Sequence, residues 1–157
     1  MSKPDPKFFE DLVADQSFTT GTRQFSAFDV AEFGTLTGDL NRIHFDEAVA
    51  QAAGFKARPV QGAFLYSAAV GLATQLEDFA ASAPINRTIN NLNFSEFVYV
   101  GEEIWATLQV VKLDRLRWLP RGMVIFSLKI FRVGDDLLVA EGELGLLIPK
   151  RPKPPKA

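Results

Sequence analysis

The 157-residue chain contains no cysteine and a single histidine. The first absence excludes disulfides and thiolate chemistry, and the second excludes a histidine-rich metal site. No metal is expected, since a carboxylate-only site has no motif behind it. An excess of positive charge is also missing: 17 Lys and Arg face 19 Asp and Glu, for a net charge of −2. No face-sized basic block precedes the tail, so nucleic acid lacks the electrostatic footprint it requires. Long apolar runs are absent too, which excludes a membrane-spanning helix. The start, MSKPDPKFFEDLVADQ, has no apolar run behind basic residues, so a cytoplasmic location is expected. Two matches to the glycosylation pattern, Asn86-Arg87-Thr88 and Asn93-Phe94-Ser95, are read as accidental for that reason.

What remains is apolar and aromatic. Hydrophobic residues make up 47% and Phe alone numbers 14, enough for one domain with a substantial core and too short a chain for two. Residues 1–10 mix charge with two prolines and are expected to be mobile, 11–149 form the domain, and 150–157, rich in Pro and Lys, form a disordered solubilising tail.

Within the domain a first strand is expected around Ser17 to Phe25. Ser26 and Asp29 have the spacing of a capping box, and Phe28, Val30, Phe33 and Leu36 follow at helical intervals, ending near Gly38. Asp46 suits the cap of a second short helix over Glu47 to Ala53, with Gly54 at its end. The run GAFLYSAAVGLATQLEDF predicts a helix from Gly62 to about Phe79, roughly 25 Å long and apolar nearly all round, hence buried. Four strands follow, at Thr88 to Val100, Glu103 to Leu113, Met123 to Val133 and Leu137 to Ile148. Turns are expected at Gly101, Pro120-Arg121-Gly122 and Gly134-Asp135-Asp136. Alternation in the second of these strands is weak, so both sheet faces are expected to be partly covered. One helix among antiparallel strands must be wrapped by a curved sheet, which makes the class α+β.

The sole histidine lies in GDLNRIH, Gly38 to His44. In a helix, five steps of about 100° would set Asp39 and His44 about 140° apart, so they share a site only if the segment bends. Gly38 and Asn41 suit such a bend. Downstream, Gly62 opens the long helix with unpaired N–H groups at a partly positive end. An acid, an imidazole and a helix N-terminus are parts suited to chemistry on a carbonyl compound.

The segment FGTLTGDLNRIHFDEAVAQAAGFKARPVQGAFLYS resembles the hydratase signature of the MaoC-like, (R)-specific enoyl-CoA hydratase family, whose fold is the hot dog. The family's aspartate, asparagine, aliphatic residue, histidine and helix-opening glycine fall on Asp39, Asn41, Ile43, His44 and Gly62. The resemblance implies a hydro-lyase that hydrates trans-2-enoyl thioesters to (R)-3-hydroxyacyl thioesters, or runs the reverse dehydration. Asp39 and His44 would activate one water, the Gly62 backbone N–H would receive charge on the thioester oxygen, and Asn41 would support the loop. The carrier would be CoA or acyl carrier protein, with no metal or redox cofactor, no nucleic acid and no membrane as partner. A homodimer or higher homo-oligomer is expected, because a single hot dog leaves a sheet edge exposed.

Two positions depart from the family pattern. Arg42 replaces a usual proline and Gln61 a usual histidine; both are possible substrate contacts. One rival is a hot dog thioesterase, which would want an acid within the long helix, where none precedes Glu77. Another is a non-catalytic acyl-thioester-binding or scaffold subunit of a larger complex.

Overall fold

The computed structural model describes residues 7–80 and 82–152. Its frame comes from three long strands, β4 (Glu103–Asp114), β5 (Arg121–Arg132) and β6 (Leu138–Pro149), of which β5 and the first two thirds of β4 alternate while β6 buries consecutive residues at Val139–Ala140 and Leu144–Leu146. In β4 the residues Ile104, Ala106, Leu108 and Val110 are fully buried while Val111 is 54% exposed. Ala106 shares the inner face with larger neighbours, so the burial alternates more sharply than the residue types do, while half-buried Trp105 and Thr107 show the expected partial cover on the other face. Cross-strand register stacks buried residues in rows: Val110 opposes Phe126, which opposes Leu144, and Ala106 opposes Ile130, which opposes Ala140. Such rows turn period-two patterning into one continuous apolar face.

The antiparallel sheet has the order β1-β4-β5-β6-β3, with β2 also pairing β4. The first expected strand is divided into β1 (Ser17–Thr19) and β2 (Arg23–Gln24). Thr20 makes the break, accepting from the Ala106 N–H through its hydroxyl and donating its own N–H to the Ala106 carbonyl, both at 2.9 Å. At the other edge β3 (Ile85–Phe94) pairs only with β6. It starts earlier and ends earlier than expected, because Ser95 and Glu96 both turn to the Val139 carbonyl and the chain then pairs with residues 58–60. Irregular register between Asn86 and Thr88 and between Asn90 and Asn93 bends this edge strand.

Helix α1 (Ala27–Thr37) carries the expected capping box and closes on Gly38 at φ +79. Helix α2 (Glu47–Ala52) is capped by Asp46, whose carboxylate accepts from the Ala48 and Val49 N–H groups. Helix α3 (Gly62–Thr74) packs on β4 through Leu65, Ala69, Leu72 and Ala73. It is shorter than expected, and only one face is buried; Ala63, Ser67 and Thr74 are exposed. The chain breaks after Thr74 and resumes as α4 (Glu77–Ala80), which returns Phe79 to the core with its ring 4.9 Å from Phe18 and 5.9 Å from Phe126. Continuing straight would have sacrificed that aromatic cluster.

The ends are more engaged than their composition suggests. Phe9, placed by sequence in a mobile segment, is 8% exposed and covers Gly122, where any Cβ would collide with its ring. Arg121 and Gly122 lie in β5 rather than in the expected turn, because they continue its ladder opposite Pro149 and Ile148 of β6. Lys150 and Arg151, read as tail, are bonded to the carbonyls of Leu116 and Leu119 and to Asp11. Residues 1–6 and 153–157, the rest of the two segments expected to be loose, lie outside the described residues.

Candidate functional site

Between α1 and α2 the chain bends through hydrogen bonds that its own sequence supplies. The Gly38 N–H closes α1 on the Gly34 carbonyl at 2.8 Å, and the Leu40 N–H turns back to Gly38 at 3.0 Å. The Asn41 side chain accepts from the Ile43 N–H at 3.4 Å, opening one 3-10 turn over Arg42–His44. That bend brings His44 Nε2 within 3.8 Å of Asp39 Oδ2. The His44 side chain is 10% exposed and that of Asp39 43% exposed, so the pair has a buried base and an acid open to solvent. Two atoms at this separation can both reach one water at ordinary hydrogen-bond length.

The other side of the imidazole is fixed. His44 Nδ1 lies 2.8 Å from the Pro59 carbonyl oxygen. A carbonyl only accepts, so Nδ1 carries the proton, and in the neutral ring Nε2 presents a bare lone pair toward Asp39. The imidazole and the Phe45 ring stand nearly perpendicular, with centroids 6.2 Å apart.

Gly34 makes this arrangement possible. A Cβ there would lie 2.6 Å from Phe45 Cζ and 2.9 Å from the Asp39 carbonyl oxygen. Neither contact is tolerable, so Gly34 sets how closely the loop approaches α1.

Pro59 also leads into α3. The Val60 N–H is held by the Val98 carbonyl at 2.8 Å, and Gln61 is the N-cap but makes no side-chain capping bond. Gly62 therefore opens the helix with first-turn N–H groups that no side chain caps. Phe94 of β3 roofs this point, its ring 3.4 Å from where a Gly62 Cβ would stand.

The two departures from the resemblance have partners of their own. Arg42 is 74% exposed and donates to Asp46 at 2.9 Å; the Asp46 carboxyl is held below its ordinary range by the Val49 N–H first and by Arg42 next. Gln61 is 1% exposed and donates Nε2 to the Val30 carbonyl at 3.1 Å. Its Oε1 is buried with no hydrogen-bond partner among the described residues, a condition that costs about 1–3 kcal/mol. Sequence reading offered both residues as substrate contacts; in the single chain Arg42 forms an ion pair along the surface and Gln61 a bond to α1. What it missed is the Pro59 carbonyl, Gly34 and Phe94. Only Gly34 leaves a trace, as a glycine inside a helical run.

Two cavities flank α3. One of about 220 Å³ runs along its open face, lined by Phe33, Phe64, Ala68 and Leu72 with Arg23 at the rim. The other, about 90 Å³, lies beneath its second half and is walled by Val70, Ala73, Phe79, Leu144 and Leu146. Neither is lined by Asp39 or His44. At the margin of the second, Asn86 donates to the Tyr66 hydroxyl at 2.8 Å; burial raises that phenol's pKa, and the Asn86 bond partly offsets it. Among the described residues no group of three or more acidic or histidine side chains could hold a metal, and no helix is long and apolar enough to cross a membrane.

Comparison with known proteins adds four findings. A family model described as "MaoC like domain" matches residues 11–122. The chain is 30% identical over 128 residues to the mitochondrial 3-hydroxyacyl-[acyl-carrier-protein] dehydratase of Arabidopsis thaliana, covering 82% of this chain and 73% of that one. It is also 30% identical over 128 residues to the (R)-specific enoyl-CoA hydratase of Aeromonas caviae, covering 82% and 90%. Among solved structures, the monoamine oxidase regulatory protein from Archaeoglobus fulgius superposes with a TM-score of 0.86 at 25% identity, covering 97% of this chain and 100% of that one.

Proposed function

Because the chain belongs to the MaoC-like family of hot dog hydratases and dehydratases, we propose that it interconverts trans-2-enoyl and (R)-3-hydroxyacyl thioesters. The observation that carries this reading is the imidazole whose Nδ1 is spent on Pro59 and whose Nε2 faces Asp39 across 3.8 Å. Asp39 orients a water that Nε2 deprotonates. As the water oxygen bonds to C3, the C2=C3 electron pair moves onto the thioester oxygen, where the Gly62 N–H receives the charge. Delivery to C2 of the proton taken up on Nε2 restores the carbonyl, so that H and OH have added across the double bond, His44 is neutral again, and no redox group is drawn on.

The acyl chain, carried by CoA or acyl carrier protein, would find an apolar wall in the cavity beneath α3. Asp39 stands half open in the single chain, and β3 presents a free edge with Ile85 48% and Ile89 47% exposed. Pairing of two copies along β3 would cover that edge; a solution mass of one 17.4 kDa chain only would contradict it. A thioesterase reading is weakened by the absence of any acid in Gly62–Thr74.

The test is incubation of the purified protein with crotonyl-CoA and longer enoyl-CoAs while the conjugated thioester absorbance is followed. Loss of absorbance, with (R)-3-hydroxyacyl-CoA as product, is expected. Binding at every chain length without turnover would replace the enzyme with an acyl-binding scaffold.

A further inference from the structure

We propose that Gln61 is a positioning residue for the reaction, fixing the α3 N-terminus relative to the loop that carries Asp39 and His44. The inference rests on the hydratase reading above. Gln61 directly precedes Gly62, the expected oxyanion donor, and its side chain is sealed from solvent at 1% exposure. Its amide nitrogen bonds the carbonyl of Val30, thirty-one positions away in α1. The partner is a carbonyl, so the atom that bonds it must be the nitrogen, and the atom left over is the carbonyl oxygen.

Helix α1 is the element whose last turn sets the catalytic loop: Gly38 closes on Gly34, and the Asp39 backbone lies against Gly34. One side chain thus spans the helix that places the acid and the helix that places the oxyanion donor. His44 reaches the same short segment from the other direction, through the carbonyl of Pro59. Residues 59–62 therefore act as a template that holds the acid, the base and the donor in one frame.

The unpartnered Oε1 gives the inference its distinguishing mark. A buried amide with one idle acceptor is a poor choice for stability, and an apolar side chain of similar size would remove the idle group. If positioning is what Gln61 does, an apolar replacement must lower the rate without lowering stability. A residue present only to stabilise the core would lose both together.

The experiment compares Gln61→Leu and Gln61→His with the wild-type full chain. Gln61→Leu is expected to keep or raise Tm while kcat on crotonyl-CoA falls about 10- to 100-fold and KM stays within about twofold. Gln61→His, which retains an N–H donor, is expected to recover kcat to within about tenfold of wild type. Unchanged kcat in Gln61→Leu, or a fall in kcat without recovery in Gln61→His, would overturn the assignment, as would a Tm loss that parallels the rate. If the wild type turns over no enoyl thioester, the hydratase reading fails, and amide hydrogen exchange decides the positioning claim alone. Exchange at Gly62 and Asp39 at least about tenfold faster in Gln61→Leu, with β5 unchanged, supports it; unchanged exchange at both removes it.

Discussion

His44 donates Nδ1–H to the Pro59 carbonyl at 2.8 Å, and this bond decides which ring nitrogen is free to act as a base. The free nitrogen is the one facing Asp39. Replacing either group should therefore remove chemistry while sparing the fold. His44→Ala and Asp39→Asn are each expected to lower kcat by about 10² to 10⁴. Circular dichroism should be unchanged. As His44 is the only histidine, nitrogen-15 NMR reads its ring without ambiguity, and a proton found on Nε2 rather than Nδ1 would remove it as the base.

Gly34 acts at one remove from the same pair. A methyl group there meets Phe45 at 2.6 Å and the Asp39 carbonyl at 2.9 Å, and the second obstacle is backbone, which cannot rotate aside. Gly34→Ala should push the loop outward and separate Asp39 from His44. The expected result is a fall of about 10- to 100-fold in kcat. A wild-type rate would mean that the loop has slack the packing does not suggest.

Much of this was legible locally. Ser26 with Asp29, Gly38, Asp46 and Gly54 obey capping rules that involve only their neighbours, and each does in the structure what those rules require. Longer-range competition was not legible. The end of α3 depends on Phe79 reaching Phe18 and Phe126, and the burial of Phe9 depends on a glycine more than a hundred residues away. In the site, Asp39, His44 and Gly62 stood out because they match a family pattern. The Pro59 carbonyl left no mark, since a backbone atom has no residue-type signature.

The capping box of α1 carries a pH dependence whose sign follows from its geometry. The Asp29 carboxyl is held below its ordinary value by the Ser26 hydroxyl, then by the Ser26 N–H, with a smaller contribution from Arg23. The unfolded carboxyl, near 3.9, binds a proton more readily than the folded one, so acid favours unfolding. This contribution is complete above about pH 4 and is lost as pH falls through the folded pKa. Asp29→Asn should lower Tm at pH 7 by about 2–4 °C, the effect of ~1 kcal/mol in a chain of this size. That difference should shrink below about pH 4; one that stayed constant would assign the effect to packing.

Gly62 permits a substitution that removes one hydrogen-bond donor and little else. It is the first residue of α3, a position where proline is well tolerated. The preceding residue must be extended, and Gln61 already is, at φ −59 and ψ 133. A side chain also has room, because its Cβ would sit in ordinary contact with the Phe94 ring at 3.4 Å. Gly62→Ala, which keeps the N–H, controls for that added bulk. If the backbone N–H receives the thioester oxygen, Gly62→Pro should lose about 10²- to 10³-fold in kcat relative to Gly62→Ala, with Tm close to it. Equal rates in the two variants would mean that the charge is stabilised by another group, and the assignment of the α3 N-terminus to the reaction would have to be abandoned.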